Sequence, residues 1–383
     1  MNKMNADTVR RVGLSVAAPL LAVVLSVLIT SVVLAVAGHD PVDTVQQMID
    51  YAKKPRTQAL ILNSAVTYYF AALAVAFGFR MNLFNIGVDG QYRLAALLAA
   101  AVGGAVDLPP VLDVTLLLVV AVLVGGLWAA VAGLLKVYRG ISEVISTIML
   151  NSITTALIAY LLTTDKLGEQ APGSNNVGTP TIPAAGRVPG IDLIPDSSLQ
   201  VYGLIVLAVV VGFLFWFVME RSRFGFELRA TGRNEEAAVA SGVNVKRMVL
   251  ISMAISGGLA GLVGMPQLLG SSYTYSLDFP AGLGFTGIAI ALLGRNTALG
   301  VAIGSLLFGF LDNSSQILDL QGVPKEIVMI TQGVIVLSVV IAYELVRRYR
   351  IVAQQREVGR RLSEPTDPAG PTSTDSTPQG AQA

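Results

Sequence analysis

Side chains that could hydrogen-bond or pair charges are concentrated in FNIGVDGQ (84–91), which lies between two strongly apolar segments. The polar residues and glycines of this stretch, with the arginine that follows, form a candidate site that we call the polar corner: Asn85, Gly87, Asp89, Gly90, Gln91 and Arg93. Asp89 and Arg93 are four residues apart, so their side chains can pair on a helix. We predict that Asn85 caps this helix and that the glycines permit a tight turn or a close helix contact.

Charged groups within an apolar segment restrict where the polar corner can lie. An Asp or Arg at mid-membrane costs about 2.5 to 3.5 kcal/mol on insertion scales, whereas a Leu or Val returns only about 0.3 to 0.6 kcal/mol. We therefore expect Asp89 and Arg93 near the cytoplasmic membrane interface, where backbone groups still reach water, or against protein. Two roles remain open for the corner: packing and gating, or direct contact with a solute.

Catalytic chemistry is not indicated by the sequence. The chain has no cysteine and a single histidine, His39, which excludes thiol catalysis, disulfides and a histidine-built metal site. None of its lysines precedes Ser or Thr, as the phosphate-binding loop of an ATPase requires. We predict that the chain is not an enzyme and binds no cofactor or metal, so any ATP is hydrolysed with magnesium in another chain.

The composition is that of a membrane protein, since 53% of the 383 residues are hydrophobic and only 13% are charged. A bilayer requires about 20 apolar residues per helix. We predict an all-α, polytopic helix bundle of eight to ten spans. The ten candidates are residues 13–37, 60–79, 88–106, 111–135, 141–162, 201–219, 248–270, 281–294, 298–318 and 326–345. The segment 281–294 is short and glycine-rich, which is typical of a re-entrant or broken helix.

The first candidate span ends in a sequence that also resembles a signal-peptidase site. Its apolar run is longer than the usual 7 to 15 or so residues of a signal peptide, so we interpret it as an uncleaved span.

Positive charges are distributed unequally between the two sides of this topology. One side collects 20 Lys and Arg residues and the other collects 6. Because cytoplasmic loops are enriched in these residues, both termini are predicted to be cytoplasmic. Residues 1–345 form the membrane domain, with a cytoplasmic loop at 220–247 and an external segment at 163–200. Residues 346–383 form a cytoplasmic tail, whose last twenty or so residues are predicted to be disordered.

The cytoplasmic loop 220–247 contains the pattern of a short exposed helix. Asn234 can cap it, the two glutamates that follow favour its positive end, and Gly242 can end it. The result is a helix of about two turns, roughly 12 Å long. Its alanine-rich surface suits docking into another protein. The alternative is an amphipathic connector that lies on the membrane surface.

The same loop resembles a known family. Glu236, Ala237, Ala238 and Gly242 fit the EAA-xxx-G pattern of the coupling loop in permease subunits of ATP-binding-cassette importers. GRNEEAAVASGV, FNIGVDGQ (84–91) and GFTGIAIALLGRNTALG (284–300) are similar to segments of the branch that carries simple sugars and nucleosides. The resemblance implies a bacterial cytoplasmic-membrane permease that works with a second permease of different sequence, with a cytoplasmic ATPase and with an external solute-binding lipoprotein. Arg229 and Arg233 become candidate contacts to the ATPase or to membrane lipid, and no nucleic-acid partner is expected.

Uncharged and acidic polar groups inside the spans are candidates for the substrate path: Asn63, Thr67, Tyr68, Asn151, Ser152, Thr155, Asp312, Asn313 and Gln316. They can hydrogen-bond a sugar or ribose hydroxyl. They can equally join helices to each other, with an average contribution of about 0.6 kcal/mol each.

We predict an importer permease that moves nucleosides or a related solute inwards by alternating access. FNIGVDGQ favours the nucleoside type over a monosaccharide permease of the ribose or galactose type, which remains the first alternative. An ion-coupled secondary transporter is the second, with Glu143, Asp312 and Asp319 as its few ionisable candidates. A non-transporting assembly subunit is the third.

Overall fold

The chain folds into a bundle of helices, in a computed structural model that describes residues 21, 24–170, 176–319 and 325–363. The helices before the long connection are α1 (Val24–Val36), α2 (Pro41–Ala52), α3 (Pro55–Phe79), α4 (Val88–Ala105), α5 (Pro110–Arg139) and α6 (Glu143–Leu161). Those after it are α7 (Ile205–Arg221), α8 (Arg223–Arg233), α9 (Glu235–Ala240), α10 (Val245–Gly261), α11 (Met265–Gln267), α12 (Leu283–Leu293), α13 (Ala298–Ser314), α14 (Gln316–Asp319) and α15 (Lys325–Ser363). Leu268–Ser272 continues α11 as a wider turn.

Six stretches of the described chain are long and apolar enough to cross a membrane, or eight if two bent helix pairs each count as one span. The predicted polytopic bundle is thus confirmed, and its lower count of eight is reached only if both bent pairs cross the membrane. The helix α4 is not among these stretches, and α12 is an apolar helix of only 11 residues. The short span foreseen at 281–294 is therefore too short to cross a bilayer as a straight helix.

One element at the amino-terminal end was not foreseen. Of the first predicted span, α1 is described, and the chain then bends by 107° into α2. Asp40 caps α2 by accepting bonds from two backbone amides, and Pro41 occupies the first helical position. Both signals are readable in the sequence as a helix start.

The centre of the bundle consists of α3 and α10. The most apolar part of α3 is 67% buried, and that of Val245–Ser272, the stretch that begins with α10, is 72% buried. Small residues allow α10 to lie directly against α5. A β-carbon on Gly257 would be 2.3 Å from the carbonyl oxygen of Gly125, and one on Gly261 would be 2.0 Å from that of Ala121. Small residues of this kind let two helix backbones approach closely inside a membrane.

The described part of the long connection between α6 and α7 is almost free of helix. It contains a two-stranded antiparallel sheet of β1 (Glu169–Gln170) and β2 (Val177–Gly178) and one helical turn (Ala184–Gly186). Backbone amides of this segment bond to the chain between α11 and α12: Thr179 to Tyr275 at 2.9 Å and Ile182 to Tyr273 at 2.8 Å. The segment is therefore fixed to the bundle.

At the other end of the chain, α15 continues to Ser363, well past the last predicted span. The sequence predicted to be disordered lies almost wholly at 364–383, outside the described residues.

Candidate functional site

The polar corner is a buried hydrogen-bonded cluster. Asn85 and Gln91 exchange two amide bonds, at 2.8 and 2.9 Å, and are 1% and 0% exposed. The Asn85 amide also donates to the Ser256 hydroxyl of α10 at 2.9 Å, and that hydroxyl donates to the Ala74 carbonyl of α3 at 2.7 Å. The cluster joins three helices through satisfied polar groups, the condition under which buried polar groups are tolerated.

One prediction about the corner is wrong. Asn85 does not cap α4, because Gly87 occupies the cap position and the Asn85 Oδ1 atom instead accepts the amide of Gly87 at 3.1 Å. The backbone of the corner also bonds to a side chain of another helix. Asn151 of α6 donates to the Ile86 carbonyl and accepts the Gly90 amide, both at 2.9 Å. Asn151 lies eight residues after the start of α6. The corner therefore contacts this helix about 12 Å from its first residue.

Close approach explains the two glycines of the corner. A β-carbon on Gly90 would be 2.7 Å from the Asn151 Oδ1 atom and 2.8 Å from the Thr154 hydroxyl. One on Gly87 would be 2.7 Å from the Gln91 Nε2 atom. The predicted close helix contact is confirmed at both positions.

The predicted pair of Asp89 and Arg93 is confirmed, with 3.8 Å between Oδ2 and Nη1. Each residue also contacts another element. Asp89 Oδ1 accepts the Gly282 amide, just before α12, at 2.6 Å, and Arg93 Nη1 donates to the Thr155 hydroxyl of α6 at 3.3 Å. Tyr92, between them, donates to the Pro280 carbonyl at 2.6 Å. The pair therefore links α4, α6 and the chain that enters α12.

A further tyrosine, Tyr275, lies in the chain between α11 and α12. Burial raises the pKa of its hydroxyl above the ordinary value for tyrosine.

Most of the other candidate path residues join helices in this structure. Asn63 donates to the Gln200 carbonyl and accepts the Tyr202 amide, which fixes the end of the long connection to α3. Asn313 donates to the Ser64 hydroxyl at 2.9 Å. Tyr68 and Gln332 donate to Asp312, whereas Thr67 donates to the Asn63 carbonyl within α3. Gln316 is exposed.

The middle of α6 presents polar groups on its outer face. Ser152 and Thr155 are exposed, and Thr155 also receives the bond from Arg93. Their neighbours on this face are large and apolar, as shown by the exposure of Met149 (59%) and Ile153 (50%). Of the residues proposed for the path, these two are the ones in the middle of a span whose side chains are open to the outside of the chain.

The candidate coupling helix α9 has the predicted local structure. Asn234 Oδ1 accepts the Ala237 amide at 2.9 Å, which caps the helix, and Gly242 has a φ of +82° just after it. The helix has six residues, so it is about 9 Å long and shorter than the two turns expected. Ala238 is buried against the rest of the chain, whereas Glu236, Ala237 and Val239 are exposed. The outer face of α9 is thus available for a partner.

The two arginines of α8 differ in their surroundings. Arg233 is exposed, as a partner contact requires. Arg229 is directed at Glu220, with 3.9 Å between Nη1 and Oε2. Sequence reasoning missed Glu220 and also Ser256 and Gly282, because their contacts join residues that are distant in the chain.

Similarity to known proteins agrees with this architecture. Residues 58–340 match the family described as branched-chain amino acid transport system / permease component. The chain is 38% identical over 280 residues to the guanosine ABC transporter permease protein NupP of Bacillus subtilis, which covers 73% of this chain and 79% of that protein. It is 32% identical over 341 residues to the glucose ABC transporter permease protein TsgB13 of Haloferax volcanii, with coverage of 87% and 89%.

A third relative is the nucleoside ABC transporter permease protein NupB of Lactococcus lactis, at 28% identity over 337 residues, or 85% of this chain and 90% of that protein. The family match covers most of the chain, and the structure supplies the apolar helices that such proteins need. The chain therefore belongs to the family of branched-chain amino acid transport system permease components, and it is a multi-pass membrane permease of the ABC transporter type.

Proposed function

We propose that this permease moves nucleosides into the cell, as one half of the membrane part of an ATP-driven importer. The observation that carries the proposal is the outer face of α6, where Ser152 and Thr155 are exposed among apolar side chains. We infer that these hydroxyl groups face a protein interior or a water-filled cavity, as ionisable groups inside a membrane do. A second permease of different sequence would close a path against this face.

The chemistry of the face suits a nucleoside. The hydroxyl groups of Ser152 and Thr155 offer donors and acceptors to ribose hydroxyls. The Arg93 guanidinium donates to the Thr155 hydroxyl and lies next to it. These hydrogen bonds do not require a carboxylate or an ammonium group on the solute. The names of NupP and NupB, a guanosine and a nucleoside permease, support the same solute class.

Energy for transport comes, in this proposal, from a separate cytoplasmic ATPase that uses ATP and magnesium. Its contact is the outer face of α9, with Glu236, Ala237, Gly242 and Arg233 exposed there. An external solute-binding lipoprotein delivers the solute to the opposite side. The buried Ala238 seats α9 against the permease.

A monosaccharide is the second candidate solute, because TsgB13 is named a glucose permease and matches 87% of this chain. Ion coupling has less support. Glu143 is paired with Lys136 at 2.6 Å, and Asp312 is bonded to Tyr68 and Gln332, so both carboxylates already have partners.

The test is uptake of radiolabelled guanosine, ribose, glucose and leucine by cells with and without this gene. We expect loss of guanosine uptake alone. Loss of ribose or glucose uptake with normal guanosine uptake would establish the sugar alternative, and uptake by the chain alone in liposomes under an ion gradient would establish the secondary transporter.

A further inference from the structure

A single arginine at the end of α3 ties together three segments on the side of the bundle that bears α9. Arg80 Nε donates to the Asn296 carbonyl, in the turn between α12 and α13, at 2.8 Å. Its Nη2 atom is 3.0 Å from Glu220 Oε1, near the end of α7. Arg80 therefore fixes the ends of α3 and α7 and the turn after α12 relative to one another.

The helix α8 is attached to the same point. The second oxygen of Glu220 is 3.9 Å from Arg229 Nη1. Gly232, near the end of α8, lies directly on the backbone of the turn after α3, since a β-carbon there would be 2.7 Å from the Met81 carbonyl carbon and 3.0 Å from the Arg80 carbonyl oxygen. We call these groups the clamp: Arg80, Met81, Glu220, Arg229, Gly232 and the Asn296 carbonyl.

The clamp lies between α9 and the polar corner. On one side, only Asn234 separates α8 from α9. On the other side, Met81 is four residues before Asn85 of the corner. A second connection runs through α12, whose far end is held by the bond from the Gly282 amide to Asp89.

We propose that the clamp transmits the displacement of α9 to α3 and α12, with Arg80 and Glu220 as positioning residues for the transport step. This inference rests on the proposed function, because it needs an ATPase that moves α9. Gly232 contacts the turn after α3 with no room for an added side chain, and Arg80 and Glu220 join the same turn to α7 and α8 by charge pairs. Close packing of this kind transmits a displacement from one element to the next.

The test uses the complete transporter, purified with its ATPase in proteoliposomes, and measures ATP hydrolysis and solute uptake in parallel. Glu220→Gln removes the charge and keeps the shape. We expect complex assembly and ATP hydrolysis to remain, while solute moved per ATP falls by about fivefold or more. The Arg80→Gln, Glu220→Gln double variant should lose less than the sum of the two single losses, because both changes break the same Arg80–Glu220 ion pair.

Arg223→Gln is the matched control, since Arg223 pairs with Glu227 on the same helix but is 92% exposed and contacts no clamp residue. If Glu220→Gln matches this control in solute moved per ATP, the clamp does not transmit. Loss of ATPase association would also overturn the proposal, because the residues would then serve docking. Gly232→Ala gives an independent test should Glu220→Gln fail to reach the membrane. A wild-type complex that moves no solute with ATP would instead refute the proposed function.

Discussion

At the scale of single residues, some contacts of the polar corner could be predicted from the sequence and others could not. The pairing of Asp89 with Arg93 follows from their spacing on one helix. The exchange of bonds between Asn85 and Gln91, and their link to Ser256, depend on a turn that returns the chain to the helix bundle. Local spacing contains no information on a partner 171 residues away.

Removing one amide of this cluster should destabilise the protein. Gln91→Leu leaves the buried Asn85 side chain without two of its bonds, and an unsatisfied buried group costs about 1 to 3 kcal/mol. We expect a lower melting temperature of the protein in detergent. Gln316→Leu, at an exposed position, is the control and should melt with the wild type. Equal melting of both variants would show that the corner adds nothing to stability.

At the scale of elements, α9 was the most predictable feature, because its cap, its acidic first turn and its glycine end are all local signals. The sequence did not reveal that Ala238 faces inward, since a short alanine-rich helix has no apolar stripe to define its buried side. The structure leaves Ala237 on the exposed face.

A large charged side chain on that exposed face should block docking. We expect Ala237→Arg to insert normally in the membrane and to lose ATPase association and solute uptake. Ala237→Ser keeps the side chain small and is the control, with expected uptake near that of the wild type. Co-purification of the ATPase and uptake are the measurements, and normal uptake by Ala237→Arg would argue against the docking role.

The helix pair of α5 and α10 makes a separate prediction about packing. Gly257→Leu must push the backbones apart, and overpacking of this kind costs about 1 to 3 kcal/mol or more. Gly333→Leu on α15 is the matched control, because no atom lies within 4 Å of its β-carbon position. We expect a clear loss of folded protein in gel filtration for the first variant alone. Equal recovery of the two would mean that α5 and α10 do not need this close contact.

At the scale of the whole molecule, apolar segment length predicted the class and the approximate positions of the spans. It did not predict the contacts of the candidate path residues. Hydropathy reports the average environment of a segment, whereas Asn63 and Asn313 are placed by partners on other helices. The long connection between α6 and α7 was recognisable by its composition, and its bonds to the chain between α11 and α12 were not.

The central claim is that the loop containing α9 lies in the cytosol and receives an ATPase, and labelling of single cysteines tests it most directly. The chain has no natural cysteine, so Ala240→Cys on α9 and Ser198→Cys in the predicted external segment each give one exposed thiol. A membrane-impermeant maleimide is applied to sealed right-side-out vesicles, before and after permeabilisation. We expect Ser198→Cys to react at once and Ala240→Cys to react only after permeabilisation, less so with the ATPase bound. Reaction of Ala240→Cys in the sealed vesicles would contradict the account.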